Sequence, residues 1–177
     1  MKKFFLPVLL ICISSVAQAQ DTTYYQVVQG PDVKGMQKSW MQSANEYHFI
    51  FHFNDRGRGD SVHEVVRTAA NGMINYVKIE GVDYYKNAYN ESFEIAGDSV
   101  IWIVNGQRKV KPNTNELYAN IEAPGILEPI INALLQQPNF TATAFNRGKI
   151  KILPLKPVAI DYNGKKLELN LCEMYVN

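Results

Sequence analysis

The sequence predicts a mainly β fold with one helix, in which an antiparallel meander sheet is strongly curved and wraps around a single helix near residues 125–137. Three observations predict it. Short runs of β-favouring residues recur at intervals of about ten residues, between turns rich in Gly, Asn and Asp. Ten Tyr and eight Phe favour sheet over helix. Only one segment, residues 126–135, has apolar residues at helical spacing.

The N-terminus has the pattern of a secretory signal peptide. Lys2 and Lys3 precede an apolar run over residues 4–16, and small residues follow up to Ala19. The apolar run is shorter than the roughly 20 residues that a membrane-spanning helix needs. We therefore predict a signal peptide over residues 1–19, cleavage near Ala19, and an exported chain that is periplasmic or extracellular and not membrane-spanning.

Composition narrows the class of the mature chain, residues 20–177. Its length and apolar fraction fit a single β-domain with one docked helix. In the full sequence Lys and Arg number 18 against 17 Asp and Glu, and cleavage would remove Lys2 and Lys3, so the balance excludes the basic footprint of a nucleic-acid-binding protein. Signal cleavage removes Cys12 and leaves Cys172 without a partner for an intrachain disulfide. We expect Cys172 to be a small buried hydrophobe.

Strands are predicted in order along the chain, separated by turns such as Asn71-Gly72 and Gly97-Asp98. The clearest strand, Glu46–Phe53, alternates an aromatic row that we expect to face the core with a row containing the histidines. The segments predicted before the helix are residues 24–29, 34–42, 46–53, 61–70, 73–80, a hairpin over 91–104, and 116–121.

The helix is predicted from a single apolar stripe that recurs every three to four residues. Pro124 and Pro129 lie near its start and Pro138 ends it. A lone helix with such a stripe must dock on the sheet. After it, strands are predicted over residues 149–155, 158–162 and 165–175.

Three histidines raise the possibility of a metal site. His48 and His52 lie on one face of a strand, and a hairpin symmetric about Gly57-Arg58 would place His63 opposite His52, near Glu64. The sequence has no closely spaced His-x-His or His-Glu-x-x-His motif, and histidines on the outer face of a sheet are ordinarily solvated. We predict no metal and no cofactor, and keep His52 and His63 as weak candidates only.

The most charged loop, residues 54–60, has three interpretations. Its arginines and aspartates pair with one another or reach a neighbouring domain, which is the interpretation we favour and which assigns an interdomain contact to Arg56, Arg58 and Asp55. The alternatives are binding of a small anion and adhesion through the Arg58-Gly59-Asp60 triplet.

No catalytic residue is predicted. No serine lies in a Gly-x-Ser-x-Gly motif, and the carboxylates in residues 83–98, including Glu91 and Glu94, are predicted to lie on a solvated sheet face. An apolar pocket between sheet and helix would be lined by four side chains, although the helix itself could fill that space. These four are Trp102, Phe93, Ile130 and Leu134.

Several segments together resemble the N-terminal β-domain of exported, metal-dependent amidohydrolases of Bacteroidetes-type bacteria. The segments are Phe53–Gly59, Gly81–Lys86, Glu91–Phe93, Trp102, the helix, and Phe145–Ile150, so the resemblance covers roughly residues 24–175. It implies an accessory domain that packs beside a metal-binding barrel.

The family would enter that barrel near Asn177, where this chain stops, so no catalytic residue is carried over. We therefore expect no enzymatic activity from this chain on its own, and an amidohydrolase barrel, in the same chain or another, as its partner. The alternative is a stand-alone periplasmic carrier that binds an apolar ligand between sheet and helix.

Overall fold

An eight-stranded antiparallel sheet, in which every strand pairs with its neighbour along the chain, forms most of the molecule. The computed structural model describes residues 21–120, 123–145, 147–162 and 164–176, so the predicted signal peptide lies outside the described residues. The eight strands are β1 (Thr22–Gln29), β2 (Asp32–Ser43), β3 (Glu46–Phe53), β4 (Ser61–Thr68), β5 (Ile74–Val82), β6 (Ala88–Ala96), β7 (Ser99–Val104) and β8 (Gln107–Pro112).

A second layer covers one face of this sheet. It contains a 3-10 turn (Pro124–Ile126) that leads into α1 (Leu127–Leu135), a further 3-10 turn (Pro138–Phe140), and a small sheet in the order β13-β10-β9. The remaining strands are β9 (Thr141–Ala144), β10 (Gly148–Pro154), β11 (Val158–Tyr162), β12 (Lys165–Leu169) and β13 (Cys172–Val176). No helix in the described ranges is long and apolar enough to cross a bilayer.

The mainly β meander with one helix is confirmed, but the predicted strong curvature is wrong, because no sheet is closed or strongly curled. The physical reason lies in the second layer. Ile150 and Ile152 of β10 are fully buried in the same core as the helix stripe, so helix and small sheet together cover the large sheet. The large sheet does not need to wrap around the helix to bury its apolar face.

Two predicted strands differ from the structure. The segment 116–121 was predicted as a strand, but its described part forms only an isolated bridge between Leu117 and Ala144. The predicted strand 165–175 is two strands, because the chain leaves the β11–β12 hairpin at residues 170–171 and then pairs with β10. Cys172 is exposed rather than buried, because it lies at the end of that ladder, beyond the Ile152–Met174 pair.

The core forms where the aromatic row of β3 meets the helix stripe. Phe49 and Phe51 are buried, which confirms the predicted core face of β3, and Ile126, Ile130 and Leu134 are fully buried against the sheet. Burial of each large apolar side chain contributes about 1.5–3 kcal/mol, so this contact supplies much of the stability of the domain.

Gly125 allows the 3-10 turn to approach β3 closely. A Cβ atom at this position would overlap the Phe49 side chain and would lie 2.8 Å from Glu64 Oε2. We expect Gly125→Ala to lower the free energy of unfolding by about 1–3 kcal/mol, as overpacking typically does. Urea unfolding measures this, with Asn132→Ala on the exposed side of α1 as control. Equal stability of the two variants would contradict the close approach.

Candidate functional site

The charged loop between β3 and β4 is held by contacts within the chain. Asp55 and Arg58 form an isolated bridge, and Gly59 N donates to Tyr84 O at 2.9 Å. Lys86 Nζ donates to Gly59 O at 2.6 Å, and the Arg58 guanidinium lies 5.5 Å from the Tyr84 ring centroid. Two of the segments that carry the family resemblance, 53–59 and 81–86, therefore form one structural unit.

Of the three residues predicted for an interdomain contact, two are thus engaged inside the domain. Tyr84 Oη donates to Asp55 Oδ2 at 3.5 Å, and Arg58 packs on the same tyrosine. Arg56 is exposed and has a φ of 56°, a conformation that few non-glycine residues adopt. The loop therefore presents Arg56 outward on a constrained backbone.

The predicted pairing of His52 with His63 is wrong. His52 lies opposite Ser61 and His63 opposite Ile50, because the hairpin is symmetric about Arg56-Gly57 and not about Gly57-Arg58, which shifts the register by two residues.

His63 instead contacts His48 on the outer face of the sheet. His48 Nδ1 lies 3.2 Å from His63 Nε2, and the Trp40 and His48 rings stack with centroids 4.9 Å apart. Desolvation, followed by the charge of His48, lowers the pKa of His63. Within the described ranges, no three His, Cys, Asp or Glu side chains are grouped to hold a metal.

The predicted apolar pocket is filled by side chains. Phe93, Ile130 and Leu134 are fully buried in the core, and the Phe93 ring packs against Phe145 with centroids 5.2 Å apart. The fourth predicted lining residue, Trp102, is half-buried and borders an open cavity. The helix stripe thus occupies the space between the layers.

Glu91 was predicted to be solvated, and this is wrong: it is 7% exposed and faces the second layer. The carboxylate accepts hydrogen bonds from Tyr118 Oη at 2.7 Å and Trp102 Nε1 at 2.8 Å through Oε1. Its Oε2 accepts from Asn120 Nδ2 at 3.1 Å and from the Tyr89 hydroxyl. Burial, followed by the Glu91 charge, raises the pKa of Tyr118 well above its usual range.

The alternation of side chains along β6 could have predicted that Glu91 faces the core. Tyr89, Glu91, Phe93 and Ile95 occupy every second position and so share one face, which is the face of the core. The donors from Tyr118 and Asn120 come from a segment without regular structure, and nothing in their sequence spacing predicts the contact.

An open cavity of about 500 Å³ adjoins Glu91. Its wall contains Glu91 and its four donors, and its remaining polar and charged lining comes from β8 and the turn before β10. These remaining lining residues are Gln107, Lys109 and Arg147.

A second carboxylate, Glu64, lies deeper in the core, beneath the 3-10 turn. It is fully buried, and burial raises its pKa to about 7. The backbone amides of Gly125 and Ile126 face it and lower the pKa in part, but neither reaches hydrogen-bond geometry with its oxygens. Ile79 lies between Glu64 and Glu91 in the cross-strand row, so the two carboxylates occupy the same face two strands apart.

Comparison of the chain with protein-family models, with curated proteins and with solved structures finds no match. The fold and the site define an antiparallel meander domain with one docked helix and a polar cavity on its covered face.

Proposed function

We propose that this chain is a non-catalytic, exported accessory domain that packs beside a metal-dependent amidohydrolase barrel, in the same chain or in a separate one. The observation that carries the proposal is an amphipathic β-hairpin, β11–β12, whose apolar face is uncovered in this domain. The resemblance of residues 24–175 to the N-terminal domain of such enzymes supplies the identity of the partner.

The two faces of the hairpin differ sharply. Val158 lies opposite Leu169, and Ile160 lies opposite Leu167, so all four side chains share one face. Each of the four is 37–44% exposed. The other face carries Ala159, Asp161, Lys166 and Glu168, while Lys165, next to the turn, lies on the same face as the four apolar side chains.

The exposed apolar face of β11–β12 is expected to pack against another protein surface. An isolated two-stranded hairpin is marginally stable in water, and here the strands of the ladder pair only with each other. Three neighbouring leucines, Leu153, Leu155 and Leu171, add further exposed apolar surface. Uncovered apolar surface of this extent is typical of an interface with another domain. The centre of this face is apolar and its only described charge is Lys165 at the turn end, so the matching surface is mainly apolar.

The loop unit supports the same partner. Contacts between segments 53–59 and 81–86 fix Asp55 and Arg58 and leave Arg56 pointing outward. Both segments belong to the set that resembles the amidohydrolase domain, so their contact with each other supports the same assignment. A carrier function between sheet and helix receives no such support, because three of the four side chains predicted to line that space, Phe93, Ile130 and Leu134, are packed in the core.

The proposal is tested with the His-x-His-containing barrel encoded closest to this chain, including the reading frame that follows the codon for Asn177. We expect the wild-type chain to co-elute with that barrel in size-exclusion chromatography. Ile160→Asp, which places a charge in the apolar face, should weaken the complex by about tenfold or more. The matched control is Ala159→Asp, which introduces the same charge at the adjacent position of the opposite face and should leave the complex intact.

Failure of the wild-type chain to bind this barrel would overturn the proposal. An equal loss of binding in the two variants would also overturn it, because the apolar face would then have no special part in docking. Circular dichroism of each variant verifies that the eight-stranded sheet remains folded.

A further inference from the structure

The cavity beside Glu91 has the volume of a small-molecule site and is lined by both aromatic and polar side chains. Its volume of about 500 Å³ lies within the range of about 300–1,000 Å³ that is typical of such sites. Aromatic surface from Trp102 and Phe145 lies next to charged and amide groups. None of the residues that line the cavity belongs to the hairpin or the loop discussed above, so substitutions can test the two sites separately.

Glu91 is a structural part of the cavity wall, because hydrogen bonds hold its carboxylate in place. Its two oxygens receive four hydrogen bonds from neutral donors, which fill the acceptor capacity of a carboxylate. A ligand hydroxyl or amine would therefore have to displace an existing donor to bind there. The network instead holds Trp102 in one orientation, with its indole N–H directed at Glu91.

The other charged groups that line the cavity are cationic. Lys109 Nζ lies 5.1 Å from the Trp102 ring centroid, and Lys109 forms no ion pair within the described ranges. Arg147 lines the same cavity from the turn that precedes β10. With Glu91 already satisfied by neutral donors, the lining favours an anionic ligand.

We propose that this cavity binds a small organic carboxylate, whose anionic group contacts Lys109 and Arg147 and whose apolar part packs against Trp102 and Phe145. Lysine and arginine form strong charge-assisted hydrogen bonds with carboxylates, and the neighbouring aromatic rings provide apolar contact for the rest of the ligand. A ligand lacking either the charge or the apolar group loses one of the two contributions.

The experiment uses 3-phenylpropionate as the probe and the two tryptophan indole N–H signals of the 15N-labelled protein as the readout. The chain has two tryptophans, Trp102 in the cavity and Trp40 on the outer face of the sheet, so Trp40 is an internal control. We expect 3-phenylpropionate to shift the Trp102 signal in a saturable manner and to leave the Trp40 signal in place. The uncharged 3-phenylpropanamide should bind about tenfold more weakly or worse.

Lys109→Met should weaken binding of 3-phenylpropionate by about tenfold or more, because one charge-assisted contact is lost while the aliphatic stem is retained. The matched control is Lys38→Met, because Lys38 Nζ lies 4.9 Å from the ring centroid of the other tryptophan, Trp40. Both lysines lie on the large sheet outside the core, so both variants should fold. The control should bind the probe as the wild-type chain does.

Three results would overturn the proposal. The first is the absence of a saturable Trp102 shift up to about 10 mM probe, because a dissociation constant above that concentration is too weak for a binding site. The second is equal binding of the amide, which would remove the need for an anion. The third is an equal effect of the two lysine substitutions, which would show that Lys109 has no specific contact with the carboxylate.

Discussion

Glu91→Ala is expected to lower the free energy of unfolding by about 2–5 kcal/mol, because it removes the acceptor of four hydrogen bonds from neutral donors. The substitution leaves the Tyr118 hydroxyl, on a side chain that is itself buried, and the Trp102 indole N–H without their acceptor. Each unsatisfied buried donor costs about 1–3 kcal/mol. Urea unfolding at neutral pH, followed by tryptophan fluorescence, measures the loss.

Two further variants make this result specific. Glu91→Gln keeps one acceptor oxygen and replaces the other with a donor that opposes Asn120 Nδ2, so its loss should be intermediate. Glu94→Ala removes an exposed carboxylate from the same strand and should stay within about 0.5 kcal/mol of the wild-type chain. If Glu91→Ala unfolds at the same urea concentration as Glu94→Ala, the network does not stabilise the fold.

Glu64→Gln is expected to stabilise the domain at alkaline pH by up to about 3 kcal/mol. Burial raises the folded-state pKa of Glu64 to about 7 from the usual 4.5, so the folded chain holds a proton that the unfolded chain releases. The stabilising contribution of this proton is fully present below pH 4.5 and is lost as the pH rises through 7. A difference of about 2.5 pKa units corresponds to about 3 kcal/mol at the upper limit.

The test is the difference in unfolding free energy between Glu64→Gln and the wild-type chain, measured from pH 4.5 to pH 8.5. The difference isolates Glu64 from His63, whose lowered pKa acts in the opposite sense and costs stability as the pH falls through its usual value. The difference should grow with pH and level off above pH 7. Parallel curves would rule out a buried, ionising Glu64, and Glu94→Gln supplies the exposed control.

Local patterns predicted most of the large sheet. Glu46–Phe53 was predicted with its observed bounds, because strict alternation lies between clear turn signals on both sides. The four-residue strand Thr141–Ala144 was missed because it is too short to show a period. The lack of strong curvature depends on how much of the sheet β10 and the helix cover together. Such long-range packing cannot be predicted from a local sequence pattern.

Prediction of the candidate site residues depended more strongly on the register between neighbouring strands. A shift of the hairpin centre by one residue moved His63 from His52 to His48, although the strands themselves were predicted correctly. The inward direction of Glu91 could have been taken from its place between Tyr89 and Phe93. Its donor Tyr118 could not, because a residue outside regular structure has no periodicity from which its neighbours can be inferred.

The order of strands in the large sheet bears on how the chain reaches its folded state. Each of the eight strands pairs with the strand beside it in sequence, so the loops that must close are short. Sheets built from such local pairings have a low contact order and fold faster than those that join distant segments. During synthesis, which begins at the N-terminus, each new strand can therefore pair with the strand made just before it. The helix and the small sheet, which follow in sequence, then cover the face of the sheet that carries Glu64 and Glu91.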